Sequence, residues 1–360
     1  MLYSSTRGED KNKSFTEVLL NGLAGDGGLY VPNKIPYFSK KKLKSLSNLN
    51  YSDLAFELTK QFLSSDIPEN EYKRICSKTY KNGFGKEIIS ITKLSDNEFI
   101  SNLYHGPTFA FKDFALQLLG NLYEAQIARE EKPLCILGAT SGDTGAAAIS
   151  GLLGKKGVNV FILYPKGKVS PLQEMQMTCT GAENIFPIAI DGTFDDAQRT
   201  VKDLFADLHF RTSVNLSAVN SINLARILAQ SVYYLYAWLN IPVQQREETA
   251  FVVPTGNFGN VFAGWLLTKM CVPISEFRVA TNQNDVLHRL FKSGQYSLDK
   301  VMPSLAPSMD IQVASNFERL LYYFLDCDTS KVVEVMSKFR EEGKYSFDAF
   351  EIKGFSSVSA

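Results

Sequence analysis

From residue 134 onward, short and nearly continuous apolar runs alternate with segments whose apolar positions recur at helical spacing. Apolar runs of this length are typical of strands buried on both faces of a parallel sheet. They are "LCILGAT" (134–140), "VNVFILYP" (158–165), "NIFPIAID" (184–191), "AFVVPT" (250–255) and "FRVATN" (277–282). Helical spacing occupies 144–155, 170–180, 194–207, 222–239, 260–270 and 284–293. The alternation predicts right-handed βαβ crossovers, and therefore an α/β fold with doubly wound, mostly parallel sheets and flanking helices.

The first hundred residues have a different pattern, in which short apolar runs are mixed with charged, lysine-rich segments. The stretch "KKKLKSL" (40–46) has the spacing of a small helix with a solvated face, and we interpret it as such rather than as a binding patch. No repeat or long linker marks a domain boundary. We therefore set only approximate boundaries near residues 100 and 330, which give regions 1–100, 101–330 and 331–360.

The balance of charge and the residue types exclude several classes of partner. The chain carries 38 Lys and Arg against 38 Asp and Glu, so no net field attracts nucleic acid or an anionic membrane. We find neither the run of about 18 apolar residues that a membrane span requires nor a secretory leader. Five scattered cysteines without a CxxC pair and three histidines at no ligand spacing predict a cytoplasmic protein without a metal site.

Two junctions between a predicted strand and a predicted helix have the composition of an anion-binding loop. They are "ILGATSGDTGAAAI" (136–149) and "VVPTGNFGNVFAGW" (252–265). In the second, Gly256 and Gly259 would let the backbone curl with its N–H groups inward, and the following helix adds partial positive charge. The structural alternative is that these glycines only permit tight turns. Neither loop has the fingerprint of a dinucleotide or nucleoside triphosphate site.

A third stretch, "SAVNSINLARILAQ" (217–230), opens a predicted helix with polar residues and places Arg226 one turn into it. One interpretation of Asn220, Ser221 and Asn223 is structural: they cap the helix and bind nothing. Arg226, however, lies among apolar helix positions that would hold its guanidinium near the polar first turn. That arrangement predicts a second anion site.

Lys112 stands alone among small and apolar residues in "HGPTFAFKDFALQLLG" (105–120), just before a helical run. A lysine in such surroundings commonly snorkels to solvent. The alternative is chemical, because partial burial lowers the pKa of an amine and the neutral amine condenses with carbonyls. An amine of that kind together with a phosphate-binding loop suggests pyridoxal phosphate.

Six motifs occur in order along the chain: "STRG" (5–8), "GLAGDGGLYVP" (22–32), "HGPTFAFKD" (105–113), "ATSGDTGAAA" (139–148), "VNSINLARI" (219–227) and "PTGNFGN" (254–260). In these motifs the chain resembles the threonine synthases, which are pyridoxal-phosphate enzymes of the tryptophan-synthase-β fold group. The resemblance implies a two-domain fold with an N-terminal family-specific region (1–100) and a catalytic region (101–330). Part of the smaller of two lobes of that catalytic region would lie near 105–220.

The resemblance also assigns roles to residues. Lys112 would form the Schiff base with pyridoxal 5'-phosphate, and Asp143 would face the ring hydroxyl of the cofactor. The residues that would line the cofactor phosphate are Gly256, Asn257, Phe258, Gly259 and Asn260. Those that would hold the substrate are Thr144, Asn220, Ser221 and Arg226.

The implied reaction is the last step of threonine biosynthesis, in which O-phospho-L-homoserine and water give L-threonine and phosphate. A monomer or a homodimer is expected. Family members usually continue past the point where this sequence stops, and their later part supplies a hydroxyl to the pyridine nitrogen. We therefore expect 331–360 to be a shortened segment, in which Ser356, Ser357 and Ser359 are poor substitutes because such ends usually fray.

Three alternatives stay open on the sequence. A serine or threonine dehydratase of the same fold group would share Lys112 and the glycine loop but would need no second anion site, so Arg226 discriminates against it. A non-catalytic relative that binds phosphorylated ligands is supported by the shortened end. A nicotinamide oxidoreductase rests only on βα alternation and glycine loops, which are features of the fold.

Overall fold

A computed structural model describes residues 1–63, 66–347 and 352–360 of the chain. Its strands are β1 (Tyr3–Ser5), β2 (Tyr30–Pro32), β3 (Ser90–Lys93), β4 (Phe99–Asn102), β5 (Leu134–Ala139), β6 (Val158–Pro165), β7 (Ile185–Ile190), β8 (Leu216–Ala218), β9 (Ala250–Pro254), β10 (Glu276–Thr281), β11 (Gln295–Ser297), β12 (Lys344–Ser346) and β13 (Phe355–Ser359). Its α-helices are α1 (Phe15–Asn21), α2 (Lys40–Leu46), α3 (Tyr51–Leu63), α4 (Glu69–Asn82), α5 (Asp113–Glu130), α6 (Asp143–Leu152), α7 (Pro171–Thr178), α8 (Phe194–Ala206), α9 (Leu208–Ser213), α10 (Leu224–Asn240), α11 (Gly259–Lys269), α12 (Val286–Ser293), α13 (Phe317–Phe324) and α14 (Thr329–Glu342).

The chain forms two compact units, each assembled from separated stretches of sequence. Unit 1 contains Met1–Val18, Leu23–Leu49 and Ser221–Ala360, and unit 2 contains Leu19–Gly22 and Asn50–Asn220. The units follow spatial contact rather than chain order. The regions 1–100, 101–330 and 331–360, which follow chain order, stay a prediction.

Unit 2 is built on a parallel sheet with the order β7-β6-β5-β8. From β5 the chain proceeds outward through β6 and β7, and it then returns to place β8 on the other side of β5. Strand interiors such as Ile136 and Val160 are fully buried, and a cluster of Leu137, Leu163, Ala197 and Leu216 joins the sheet to α8. In open sheets of this kind, ligands bind where the direction of winding reverses, which here is the carboxyl end of β5 and β8.

Unit 1 contains a second parallel sheet, in the order β13-β10-β9. Helix α11 follows β9 directly and packs against α10. Aromatic rings fill the space between this sheet and its helices, including Phe258, Phe277, Phe291 and Phe355. The predicted α/β class with parallel sheets and flanking helices is therefore confirmed.

Every strand and helix predicted from residue 134 onward is present, with ends within three residues of those expected. The expectation that each strand is buried on both faces is wrong for the outer strands β7 and β9. Val252 in β9 is 61% exposed whereas its neighbour Val253 is 4% exposed, and in β7 the side chains of Phe186 and Ile188 are exposed as well. These strands end their sheets within the described residues, and packed side chains cover only one face of β9.

Two further expectations concern the lysine-rich stretch near the N-terminus and the serine-rich end of the chain. The lysine-rich stretch 40–46 is helix α2, with Leu43 and Leu46 buried and Lys40 and Lys44 exposed, as predicted. The expectation that the serine-rich end frays is wrong, because Ser356, Ser357 and Ser359 lie in β13 and pair with β10. Residues 348–351 of the predicted C-terminal segment lie outside the described residues.

In the part of the chain that is described, none of the helices has the length and apolar character needed to span a membrane.

Candidate active site

Lys112 lies at the end of a tight loop, immediately before α5 in unit 2. Its side chain is 11% exposed, and its Nζ donates a hydrogen bond to Oδ1 of Asp143 over 2.6 Å. The amine also lies 5.6 Å from the ring centre of Phe111. Lys112 therefore does not snorkel to solvent but is held inside unit 2 by a carboxylate.

The loop that presents Lys112 is fastened by Asp113, the first residue of α5. Asp113 is fully buried, and its carboxylate accepts hydrogen bonds from the backbone N–H of Thr108 over 2.8 Å and from the Thr108 hydroxyl over 2.7 Å. Gly106 makes room for it, since a Cβ at this position would lie 2.5 Å from the Cβ of Asp113. Burial raises the pKa of Asp113, and the charge of Asp143 raises it further. The hydrogen bonds from Thr108 lower it but do not cancel the rise.

Replacing Asp113 by alanine is expected to loosen this loop, because the N–H and hydroxyl of Thr108 would lose their buried acceptors. Leaving buried donors unsatisfied costs about 1–3 kcal/mol of the free energy of unfolding, which urea denaturation measures. Asp113→Asn is the matched control, because an amide can accept from the N–H and donate to the rotated hydroxyl. A loss as large in Asp113→Asn as in Asp113→Ala would contradict this account of the loop.

Asp143 and Thr144 open α6, directly after a turn at the carboxyl end of β5. The hydroxyl oxygen of Thr140 accepts from the N–H groups of Gly142 (3.0 Å) and Gly145 (2.8 Å), which closes the turn. Asn220 follows the carboxyl end of β8, the strand adjacent to β5. The sheet therefore collects these predicted site residues of unit 2 at the edge where such folds bind ligands.

Gly142 occupies a backbone conformation, φ +146° and ψ −92°, that L residues avoid. We expect Gly142→Ala to cost up to about 3 kcal/mol of the free energy of unfolding. Gly154→Ala is the control, since Gly154 has φ +65° with open space around it, and that left-handed conformation costs a non-glycine residue only about 1–2 kcal/mol. Thermal or urea unfolding of both variants measures the difference, and equal losses would contradict the prediction.

The predicted phosphate loop lies in unit 1, between β9 and α11. Its only left-handed residue is Phe258, with φ +64°, so the expectation that Gly256 and Gly259 supply the curl is wrong. The glycines supply space instead, because added Cβ atoms would lie 3.1 Å from Ile311 and 3.0 Å from the Nδ2 of Asn316. The buried ring of Phe258 packs on Phe317, Phe291 and Phe355, and this packing offsets the strain.

The donor set of this loop fits a phosphate group. Gly259 and Asn260 begin an 11-residue helix, whose first N–H groups have no partner within the helix and carry partial positive charge. The side-chain oxygen of Asn260 accepts from the hydroxyls of Tyr233 and Tyr234, which fixes the start of α11 to α10. Backbone amides, rather than cationic side chains, are the groups this loop offers to an anion.

Arg226 lies in the first turn of α10, and Asn223 caps that helix through a hydrogen bond from the N–H of Ala225. The arginine side chain is buried, with 2% of the residue exposed. Burial raises the pKa of Tyr233, two turns further along α10, whereas the positive charge of Arg226 opposes that rise. The structure thus places a buried cation in the first turn of α10, the helix whose Tyr233 donates a hydrogen bond to the side chain of Asn260.

Comparison with known proteins gives the class and then the family. Residues 88–345 match the family model described as pyridoxal-phosphate dependent enzyme, and residues 2–80 match the model described as threonine synthase N terminus. The threonine synthase of Pseudomonas aeruginosa is 46% identical over 348 residues, which is 97% of this chain and 74% of that protein. The threonine synthase of Saccharomyces cerevisiae is 42% identical over 381 residues, which is 99% of this chain and 74% of that protein.

Solved structures agree with the sequence matches. The pyridoxal-phosphate-bound crystal structure of threonine synthase from Brucella melitensis aligns with a TM-score of 0.94 at 40% identity, covering 100% of this chain and 78% of that one. The fold and the 88–345 match define a pyridoxal-phosphate-dependent enzyme of fold type II. More closely, the chain belongs to the threonine synthase family.

Proposed function

We propose that this chain converts O-phospho-L-homoserine and water into L-threonine and phosphate. The observation that carries the proposal is that unit 1 contains two distinct candidate elements for an anion, the backbone turn at 256–260 and the buried Arg226. The reaction brings together two phosphate groups, one on the cofactor and one on the substrate, each with a charge of about −1.5 to −2 at neutral pH. Two such anions need separate donors, and a dehydratase needs only one set.

The cofactor supplies electron withdrawal when bound, and this acidifies the protons on the α-carbon of an attached amino acid. The residues of this chain hold the cofactor and move the protons. Lys112 supplies the amine that holds the cofactor aldehyde, and its neutral form then moves the α and β protons of the substrate. Asp143 orients the side chain of Lys112 through the hydrogen bond between them.

The phosphate of the substrate leaves from the γ-carbon with the electron pair of the C–O bond, one proton is lost from the β-carbon and one is gained by the γ-carbon. Water then gives its hydroxyl to the β-carbon and its remaining proton to the released phosphate. We propose that Arg226 holds this leaving phosphate, with Ser221, Asn220 and Thr144 completing the substrate contacts. The loop 256–260 holds the cofactor phosphate through its backbone amides. All five cysteines are free, which supports a cytoplasmic setting. A monomer or a homodimer stays a prediction.

The purified chain with added pyridoxal phosphate provides the test. We expect phosphate and threonine to be released in equal amounts from O-phospho-L-homoserine, and neither from unphosphorylated L-homoserine. L-Threonine and L-serine are the comparison substrates, because a dehydratase converts them to a 2-oxo acid and ammonia. Production of the 2-oxo acid without phosphate release from the phosphorylated substrate would contradict the proposal.

A further inference from the structure

We infer that Asn316 is a positioning residue that holds the substrate turn at 221–222 and the phosphate loop at 256–259 in a fixed mutual arrangement. This inference rests on the proposed function for the roles of the two segments. All the contacts that carry it lie within unit 1.

Asn316 contacts both segments at once. Its Nδ2 donates a hydrogen bond to the backbone carbonyl of Ser221 over 3.0 Å, and its backbone N–H donates to the carbonyl of Asn257 over 3.1 Å. A Cβ at Gly259 would lie 3.0 Å from the same Nδ2, so the absence of a side chain at Gly259 is what admits the Asn316 amide. The amide is therefore enclosed between the two segments.

Arg319 holds the opposite side of the same amide. Its Nη1 donates to the side-chain oxygen of Asn316, its Nη2 donates to the carbonyl of Ile222 over 2.6 Å, and its Nε donates to the carbonyl of Tyr30 over 3.0 Å. Asn316 and Arg319 are both fully buried. One guanidinium thus fixes both the amide and the turn that the amide binds, with the fork geometry that arginine provides.

The helix that carries these residues is itself anchored by the "STRG" motif, to which the proposed reaction assigns no role. Glu318 is buried and accepts from Arg7 through both of its oxygens, over 3.1 and 2.9 Å. It also accepts from the Thr6 hydroxyl over 2.6 Å. The N-terminal motif therefore fixes the start of α13, and the start of α13 fixes the two segments.

The test compares Asn316→Ala with Asn121→Ala. Asn121 is also a buried asparagine, and its side chain makes three hydrogen bonds where that of Asn316 makes two, but it lies in unit 2 on α5 and its hydrogen bonds reach neither segment. Loss of the Asn316 amide leaves the Ser221 carbonyl and a guanidinium N–H without partners, so we expect the Kd of pyridoxal phosphate for the apoprotein and the KM of the substrate each to rise about tenfold or more. Asn121→Ala should lower the melting temperature while leaving both constants within about twofold.

Asn316→Asp keeps the test decisive if the alanine variant does not fold. The aspartate retains the acceptor for Arg319 and the backbone N–H, but it turns an oxygen toward the Ser221 carbonyl and adds negative charge beside a phosphate loop. Both constants should rise in this variant as well. A folded Asn316→Ala or Asn316→Asp protein whose cofactor Kd stays within twofold of the parent chain would overturn the inference. Cofactor binding is measured without substrate, so this outcome is independent of whether O-phosphohomoserine is turned over.

Discussion

Replacing Lys112 by alanine is expected to abolish turnover, with a loss of at least about a thousandfold in kcat, since the proton-transfer group alone contributes roughly 10²–10⁴. The variant also lacks the amine that holds the cofactor aldehyde, so its visible absorbance should revert to that of free pyridoxal phosphate. Phosphate release and an absorbance spectrum measure both effects.

Lys112→Arg is the informative companion to Lys112→Ala. Arginine keeps the positive charge beside Asp143 but stays protonated at any working pH, so it cannot act as an amine nucleophile or a base. We expect it to retain the free energy of unfolding of the parent chain better than alanine does, and to be equally inactive. Turnover near that of the parent chain in either variant would show that another group performs the chemistry.

Replacing Arg226 by alanine is expected to raise the substrate KM by about a hundredfold, because truncating one partner of a buried charge pair costs roughly 2–5 kcal/mol. Cofactor affinity should change little, since the phosphate loop uses backbone amides instead. Steady-state kinetics and cofactor titration on the same preparation separate the two effects.

Arg278→Ala is the control for this prediction. Arg278 is an exposed arginine in β10 of the same unit, paired with Glu276, and its removal changes the net charge equally. It should leave both constants unchanged. Loss of cofactor binding in Arg226→Ala with an unchanged KM would place Arg226 at the cofactor phosphate, and it would leave a dehydratase as the better description.

Most of the two parallel sheets could be predicted from sequence because β5, β6, β7, β9 and β10 are compact apolar runs. The pattern does not predict β13, since its serines do not form an apolar run, although they pair with β10 in register. Likewise β8 is only three residues long and gives little periodicity. Hydrophobic patterning thus finds strands whose own residues form an apolar run. It misses strands that are too short or too polar to form one and that pair with a neighbouring strand.

The site residues divide in the same way. Lys112 stands out in sequence because it is an isolated charge among apolar groups, and the role of Asp143 follows from its motif. Asp113 was missed, because its importance depends on a loop conformation that only the structure reveals. Asn316 was missed because its partner Ser221 is 95 residues away and is contacted through a carbonyl that every residue type has.

The phosphate loop shows a third limit. Glycine is the expected residue for a left-handed conformation, so the sequence "TGNFGN" predicts that conformation at one of its two glycines. The conformation falls on Phe258 instead, because three other aromatic rings hold its side chain in the core of unit 1. Packing of this kind is a tertiary effect and leaves no mark in the local sequence.

The central claim, that the Lys112 amine holds the cofactor, is tested most directly by treating the holoenzyme with borohydride and mapping the modified peptide by mass spectrometry. Borohydride reduces the C=N bond between a lysine amine and an aldehyde to a stable link. Our account predicts one pyridoxyl group per chain, on Lys112. A pyridoxyl group on a different lysine, or none in a protein that binds the cofactor, would contradict it.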